Sequence, residues 1–146
     1  MVIRLTRKLA DKIKIKSLPE YDEGSVIEEW YGHIFIADRV QYMLFTNAFS
    51  LYSVLFPGKG INDIKTFFET AFHYLSETLK TDGYGNMVGR FITDKIEIID
   101  VCKTNNRGIL GSMNDMIAHS KFYFTGYKMT PTEISRRLNE MPYSYL

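Results

Sequence analysis

Apolar positions alternate with a period of two in three runs between Trp30 and Pro57: Tyr31–Ala37, Val40–Thr46 and Phe49–Phe56. All three are rich in aromatic and β-branched residues, which suit a pleated, half-buried surface. Asp38-Arg39 and Asn47-Ala48 separate them, and Pro57-Gly58 ends the last. Two apolar runs joined by about two turn-prone residues predict a hairpin, so the stretch reads as a three-stranded meander. Asn47 is expected to be the better turn residue, since Asn tolerates positive φ and Arg does so only reluctantly. Neither face of this meander is polar: Trp30, Ile34 and Ile36 alternate with Tyr31, His33 and Phe35, and Tyr42 and Leu44 with Met43 and Phe45. A slab with two apolar faces needs covering on both, by helices or by another subunit.

The period then lengthens. Ile61, Ile64, Phe67, Phe68, Ala71, Phe72, Leu75 and Leu79 recur at helical spacing and predict a helix over about 61–81, with Asn62 as its N-cap and His73 on the exposed face. Ile96–Lys103 is continuously apolar and reads as an inner strand. A helix over about 106–120 follows, with Ile109, Met113, Met116, Ile117 and Ser120 on one face, and Phe122–Phe124 is a candidate fifth strand. Thr130-Pro131 opens a last helix over about 131–140, with Glu133 in its first turn and Ile134, Leu138 and Met141 turned inward. At the start, Met1–Thr6 alternates as a strand does, and Leu9 and Ile13 space a short helix near 7–15. Leu18–Ser25, with Pro19 and Gly24, is loop. The pattern therefore predicts an α+β fold: an antiparallel or mixed sheet of four to five strands built on the meander at about 30–57, packed by three to four helices. A length of 146 residues is expected to form a single domain.

Composition removes several functions from consideration. The formal net charge is +1, so nothing global calls for nucleic acid or a charged surface. No run approaches the ~20 apolar residues of a membrane span, and residues 1–16 lack the apolar stretch of a secretory signal. The single cysteine, Cys102, sits in an apolar strand pattern and is read as an inert buried thiol, which suits a reducing cytoplasm. Arg4, Arg7, Lys8, Lys12, Lys14 and Lys16 crowd the first segment against Asp11 alone; with the acidic run Glu20, Asp22, Glu23, Glu28 and Glu29 following, this reads as a solvated, locally neutralised face.

The candidate chemistry is concentrated in Lys103–Met116, where a strand ends and a helix begins. The free N–H groups of a helix start attract anions. Arg107 and Ser112 are placed to complete a phosphate or carboxylate site there, although the glycine spacing is neither a P-loop nor a dinucleotide fingerprint. Ser112, Asp115 and His119 share a helical face, but a triad converges from different elements, so they are not read as catalytic. His33, His73 and His119 are far apart in sequence and no metal-ligand spacing occurs; neither metal nor cofactor is expected.

The segments IRLTRKL, EEWYGHIFIADRVQYMLFTNAFSLYSVLFPG, KTNNRGILGSMNDM and ISRRLNEMP resemble, in this order, a family of small bacterial proteins known as a domain of unknown function. The resemblance implies a bacterial, cytoplasmic setting and no mechanism. Positions matching its motifs are Arg4, Trp30, Asp38, Arg39, Asn47, Arg107, Gly111, Asn114, Asp115, Arg136, Arg137 and Asn139. Asn and Asp are poor inside helices unless they gain a hydrogen-bond partner, so Arg107, Asn114 and Asp115 are expected to meet the terminal helix in one polar network. The function expected from all this is a non-enzymatic binding or regulatory module acting through a protein partner or self-association. The alternative is a phosphate-ligand or nucleic-acid binding protein, or an enzyme, with its site near Arg107.

Overall fold

A computed structural model describes residues 1–21, 29–88 and 99–140. It contains β1 (Val2–Leu5), α1 (Arg7–Lys12), β2 (Glu29–Ala37), β3 (Val40–Asn47), β4 (Ser53–Pro57), α2 (Ile64–Thr81), a 3-10 turn (Gly85–Met87), β5 (Asp100–Lys103), α3 (Arg107–Gly126) and α4 (Pro131–Glu140). The strands form one open mixed sheet in the order β4-β3-β2-β1-β5. The meander β2–β3–β4 is antiparallel, and β1 runs parallel to both β2 and β5. The α+β expectation is met.

Several details differ from the sequence reading. Phe122–Phe124 is helical, because Ile117, Ser120 and Phe124 prolong the buried stripe of α3 and the Phe124 ring stacks on Tyr42 at 4.0 Å. The fifth strand is β1 instead. Asp100–Lys103 forms an edge strand rather than an inner one among the described residues, since only β1 pairs with it; Ile96–Ile98 lie outside the described residues, as do Met141 and the acids Asp22, Glu23 and Glu28. The third run starts only at Ser53. Asn47 ends β3 and turns its side chain onto the loop, where Oδ1 accepts from the N–H groups of Phe49 (3.0 Å) and Ser50 (2.9 Å). At the first turn both Asp38 (φ 49°) and Arg39 (φ 65°) are left-handed, as a two-residue primed hairpin turn requires. Finally, Asp63 rather than Asn62 caps α2, accepting from the Thr66 N–H at 2.7 Å, and Asn62 takes the Lys12 ammonium at 3.1 Å.

Each face of the slab is covered by the chain's own helices. On one, α1 and α2 bury Ile3, Leu5, Trp30, Ile34, Met43, Phe45, Val54 and Phe56. Trp30 stacks on Phe45 at 4.7 Å, and Phe67 and Phe72 meet Phe45 edge-on. Gly32 admits α1 to this face: a Cβ there would stand 2.8 Å from a Leu9 methyl and 2.9 Å from a Leu5 methyl. On the other face, α3 and α4 bury Tyr31, Phe35, Leu44, Leu51 and Leu55 under Ile109, Met113, Met116, Ile117, Ile134 and Leu138.

Both sheet edges receive bonds from other parts of the chain. Along β4, the Ser53 N–H donates to Asn139 Oδ1 (2.7 Å), Asn139 Nδ2 donates back to the Ser53 carbonyl (2.9 Å), and the Leu55 N–H donates to Ser135 Oγ (2.8 Å). Along β5, the Lys103 N–H donates to the Pro19 carbonyl (2.9 Å).

Candidate functional site

In sequence, β1 is followed by Thr6-Arg7 and β5 by Thr104-Asn105-Asn106-Arg107, so each helix opens on an arginine directly after its capping residue, Thr6 or Asn106. Thr6 Oγ1 accepts from the Leu9 N–H (3.3 Å), and Asn106 Oδ1 accepts from the Ile109 N–H (3.1 Å). Because the strands are parallel neighbours, both helix starts lie at one end of the sheet, and α1 and α3 leave it toward opposite faces.

The polar groups at this end come from four elements. β2 runs on after β1 stops, so the Ile34 N–H, which points toward the missing strand, has no ladder partner. His33 Nδ1 accepts it at 2.9 Å and lies 3.2 Å from Thr6 Oγ1. With Nδ1 accepting, the ring proton resides on Nε2, and the His33 ring also hydrogen-bonds the Asn114 side chain of α3. Burial, and then the nearby Lys8 ammonium, hold the His33 pKa below its ordinary 6.5, so the ring is neutral at physiological pH. Two residues before His33 on β2, the Tyr31 hydroxyl donates to Asn105 Oδ1 at 2.6 Å, and burial raises its pKa. Around these groups Lys8 and Arg107 are exposed and make no ion pair among the described residues. The result is a set of neutral donors and acceptors flanked by two uncommitted cations.

Beneath it, Arg4 is 1% exposed on the same face as Tyr31 and Cys102. Its guanidinium pairs with the Glu29 carboxylate and donates to the carbonyls of Tyr21 and of Lys103, the last at 2.9 Å. This buried pair staples the segment before residue 22 to β1 and β5. Burial, partly offset by Arg4, pushes the Cys102 thiol up, away from the reactive thiolate. Beside α1 an open depression of about 490 Å³ is lined by Arg7, Asp11, Lys14, Ile15 and Lys16. There Arg7 is committed to Asp11 and to the Ile15 and Lys16 carbonyls.

The residues named from sequence are dispersed. Arg107 and Asn114 lie two turns apart on one exposed stripe of α3, with the open Gly111 between them. Ser112 is buried, and Asp115 is exposed and unpaired among the described residues. Asn139 and Ser135 sit at the opposite edge, on β4. Arg136 faces Asp82 at 4.0 Å, and Arg137 is exposed. Among the described residues the network expected between α3 and the terminal helix is not seen: Arg107, Asn114 and Asp115 lie on the exposed side of α3, while Asn139 is committed to the Ser53 backbone. Arg39 and Asn47 serve turns and Trp30 the core. Sequence reasoning missed Thr6, Tyr31, His33 and Asn105; the cap–arginine pairs Thr6-Arg7 and Asn106-Arg107 signal the two helix starts, while Tyr31 and His33 on β2 carry no such signal. No three or more His, Cys, Asp or Glu side chains among the described residues are grouped to hold a metal.

A family model described as a domain of unknown function, DUF6933, matches residues 2–146. The chain belongs to this family. No curated protein and no solved structure matches it. Membership in DUF6933 brings no activity with it, so function rests on the geometry of the strand ends. No described helix is long and apolar enough to cross a membrane.

Proposed function

We propose that this DUF6933 chain is a cytoplasmic binding module for a small anionic ligand, carrying a phosphate or carboxylate, seated where β1 and β5 end. One observation carries the reading: two neighbouring parallel strands send their helices to opposite faces. In open sheets with parallel strands such a divergence leaves a crevice outside the carboxyl ends, where ligands bind. Asn105, Asn114 and the His33 ring supply hydrogen bonds, while Lys8 and Arg107 supply charge. No bond-making step is assigned: His33 Nδ1 is occupied by the Ile34 N–H.

Amide NMR during titration with inorganic phosphate, and then with a nucleoside monophosphate, tests this. Shifts confined to residues around 33, 105–108 and 114 are expected, with affinity falling about tenfold in Arg107→Ala and as salt rises. Unmoved resonances there, or unchanged affinity in Arg107→Ala, would refute it. A protein partner or second copy is the other reading. It draws support from Phe122 and Tyr127, 58% and 65% exposed and edge-to-face at 5.4 Å. Sedimentation of Phe122→Ser beside the parent chain tests that reading.

A further inference from the structure

A free strand edge presents its outward N–H and C=O groups as a template for another strand. On β4 the outward residues are Ser53, Leu55 and Pro57, since Val54 and Phe56 point their backbone groups at β3. Each outward donor is disposed of separately. The Asn139 amide makes both bonds that a neighbouring strand would make to Ser53, Ser135 takes the Leu55 N–H, and Pro57 has none to give. α4 therefore stands in the place of a sixth strand. α4 is also short: among the described residues its large buried side chains are Ile134 and Leu138, against Phe67, Phe72, Leu75 and Leu79 for α2.

We propose that α4 is a displaceable cap on a latent interface, and that the partner the bared edge fits is β4 of a second copy of this chain. The backbone is self-complementary. Antiparallel pairing about a two-fold axis at Leu55 gives two bonds between the Leu55 residues and one from each Ser53 N–H to the other copy's Pro57 carbonyl, four in all. Proline lacks only the donor, so it does not interrupt this register. The two-fold uses up the β4 edge of both copies, which closes the assembly at a dimer. This rests on β4 and α4 alone and is independent of the anion site.

The test uses the full chain carrying Ser135→Ala and Asn139→Ala, followed by sedimentation equilibrium. The expected result is a dimer whose dissociation constant is at least tenfold lower than that of the parent, and whose formation is abolished by adding Ser53→Pro. A folded double variant that stays monomeric overturns the proposal, as does an oligomer that survives Ser53→Pro or exceeds a dimer. If the double variant does not fold, hydrogen exchange of the parent decides. The Ser53 and Leu55 amides should then exchange together with those of α4 and at least tenfold faster than the Phe45 amide. Exchange of all of them in one global step would overturn it.

Discussion

The two faces of the sheet are built from different materials. The α2 face is an aromatic stack, Trp30 on Phe45 with Phe67 and Phe72 edge-on. The α3/α4 face mixes aliphatic side chains and methionines with fewer ring contacts, such as Tyr42 on Phe124, and hydroxyls thread it. Thr46 and Ser53 share a bond of 2.8 Å, Ser53 also meets the Met116 sulfur at 3.2 Å, and Ser120 returns to the Met116 carbonyl. An aromatic stack gains most from area and ring geometry and tolerates little change of shape. Methionine adapts, and hydroxyls hold position through bonds rather than bulk. Ring geometry thus dominates one face, while buried hydroxyl bonds are threaded through the other.

The comparison can be broken from either side. The largest effect is expected from Phe45→Ala on the aromatic face, about 3–5 kcal/mol in chemical denaturation; a loss below ~1.5 kcal/mol would mean that the stack is not the keystone. Arg4→Met follows. It strands the Glu29 carboxylate, with a cost of about 3–5 kcal/mol, while replacing Glu29 by Leu as well should recover much of that loss. Asn139→Ala is expected to cost about 1–3 kcal/mol by leaving the Ser53 N–H unmet. Met116→Leu, on the adaptable face, should cost under ~1.5 kcal/mol.

The smallest effect is one of pH. The folded pKa of His33 lies below 6.5, so an unfolded chain takes up that proton first. The contribution of His33 to stability is complete above pH 6.5 and erodes as the pH falls from there toward the lower folded value. His33→Gln should flatten the stability profile in that window and leave it unchanged at pH 8; an unaltered profile would show that another group titrates.

Much of the fold was legible from sequence because it is local. The meander announced itself through period-two alternation, α2 through eight apolar residues at helical spacing, and α4 through a capping box in which Thr130 Oγ1 accepts the Glu133 N–H while Glu133 accepts from Thr130. The misreadings were those where packing overruled local preference. Phe122–Phe124 carries a strand's composition, yet Phe124 finds its partner, Tyr42, only from a helix. Asp38 and Arg39 accept positive φ because the strands they join are held in register. The candidate site was half legible. Arg107 and Asn114 stood out as polar residues at a helix start, but His33 resembled any strand histidine.

By itself, the order of apolar and polar residues determined that this chain forms an α+β sheet with two apolar faces and a short list of cations and amides near residue 107. Only the tertiary structure decided that β1 is an inner strand, that its end and that of β5 lie side by side, and that Asn139 belongs to the β4 edge rather than to a site with Arg107. Periodicity reports which face of an element is buried. Which strands become neighbours, and in which direction they run, depends on contacts between residues up to 99 positions apart, such as the bond from Arg4 to the Lys103 carbonyl, and those are set by packing the whole chain at once.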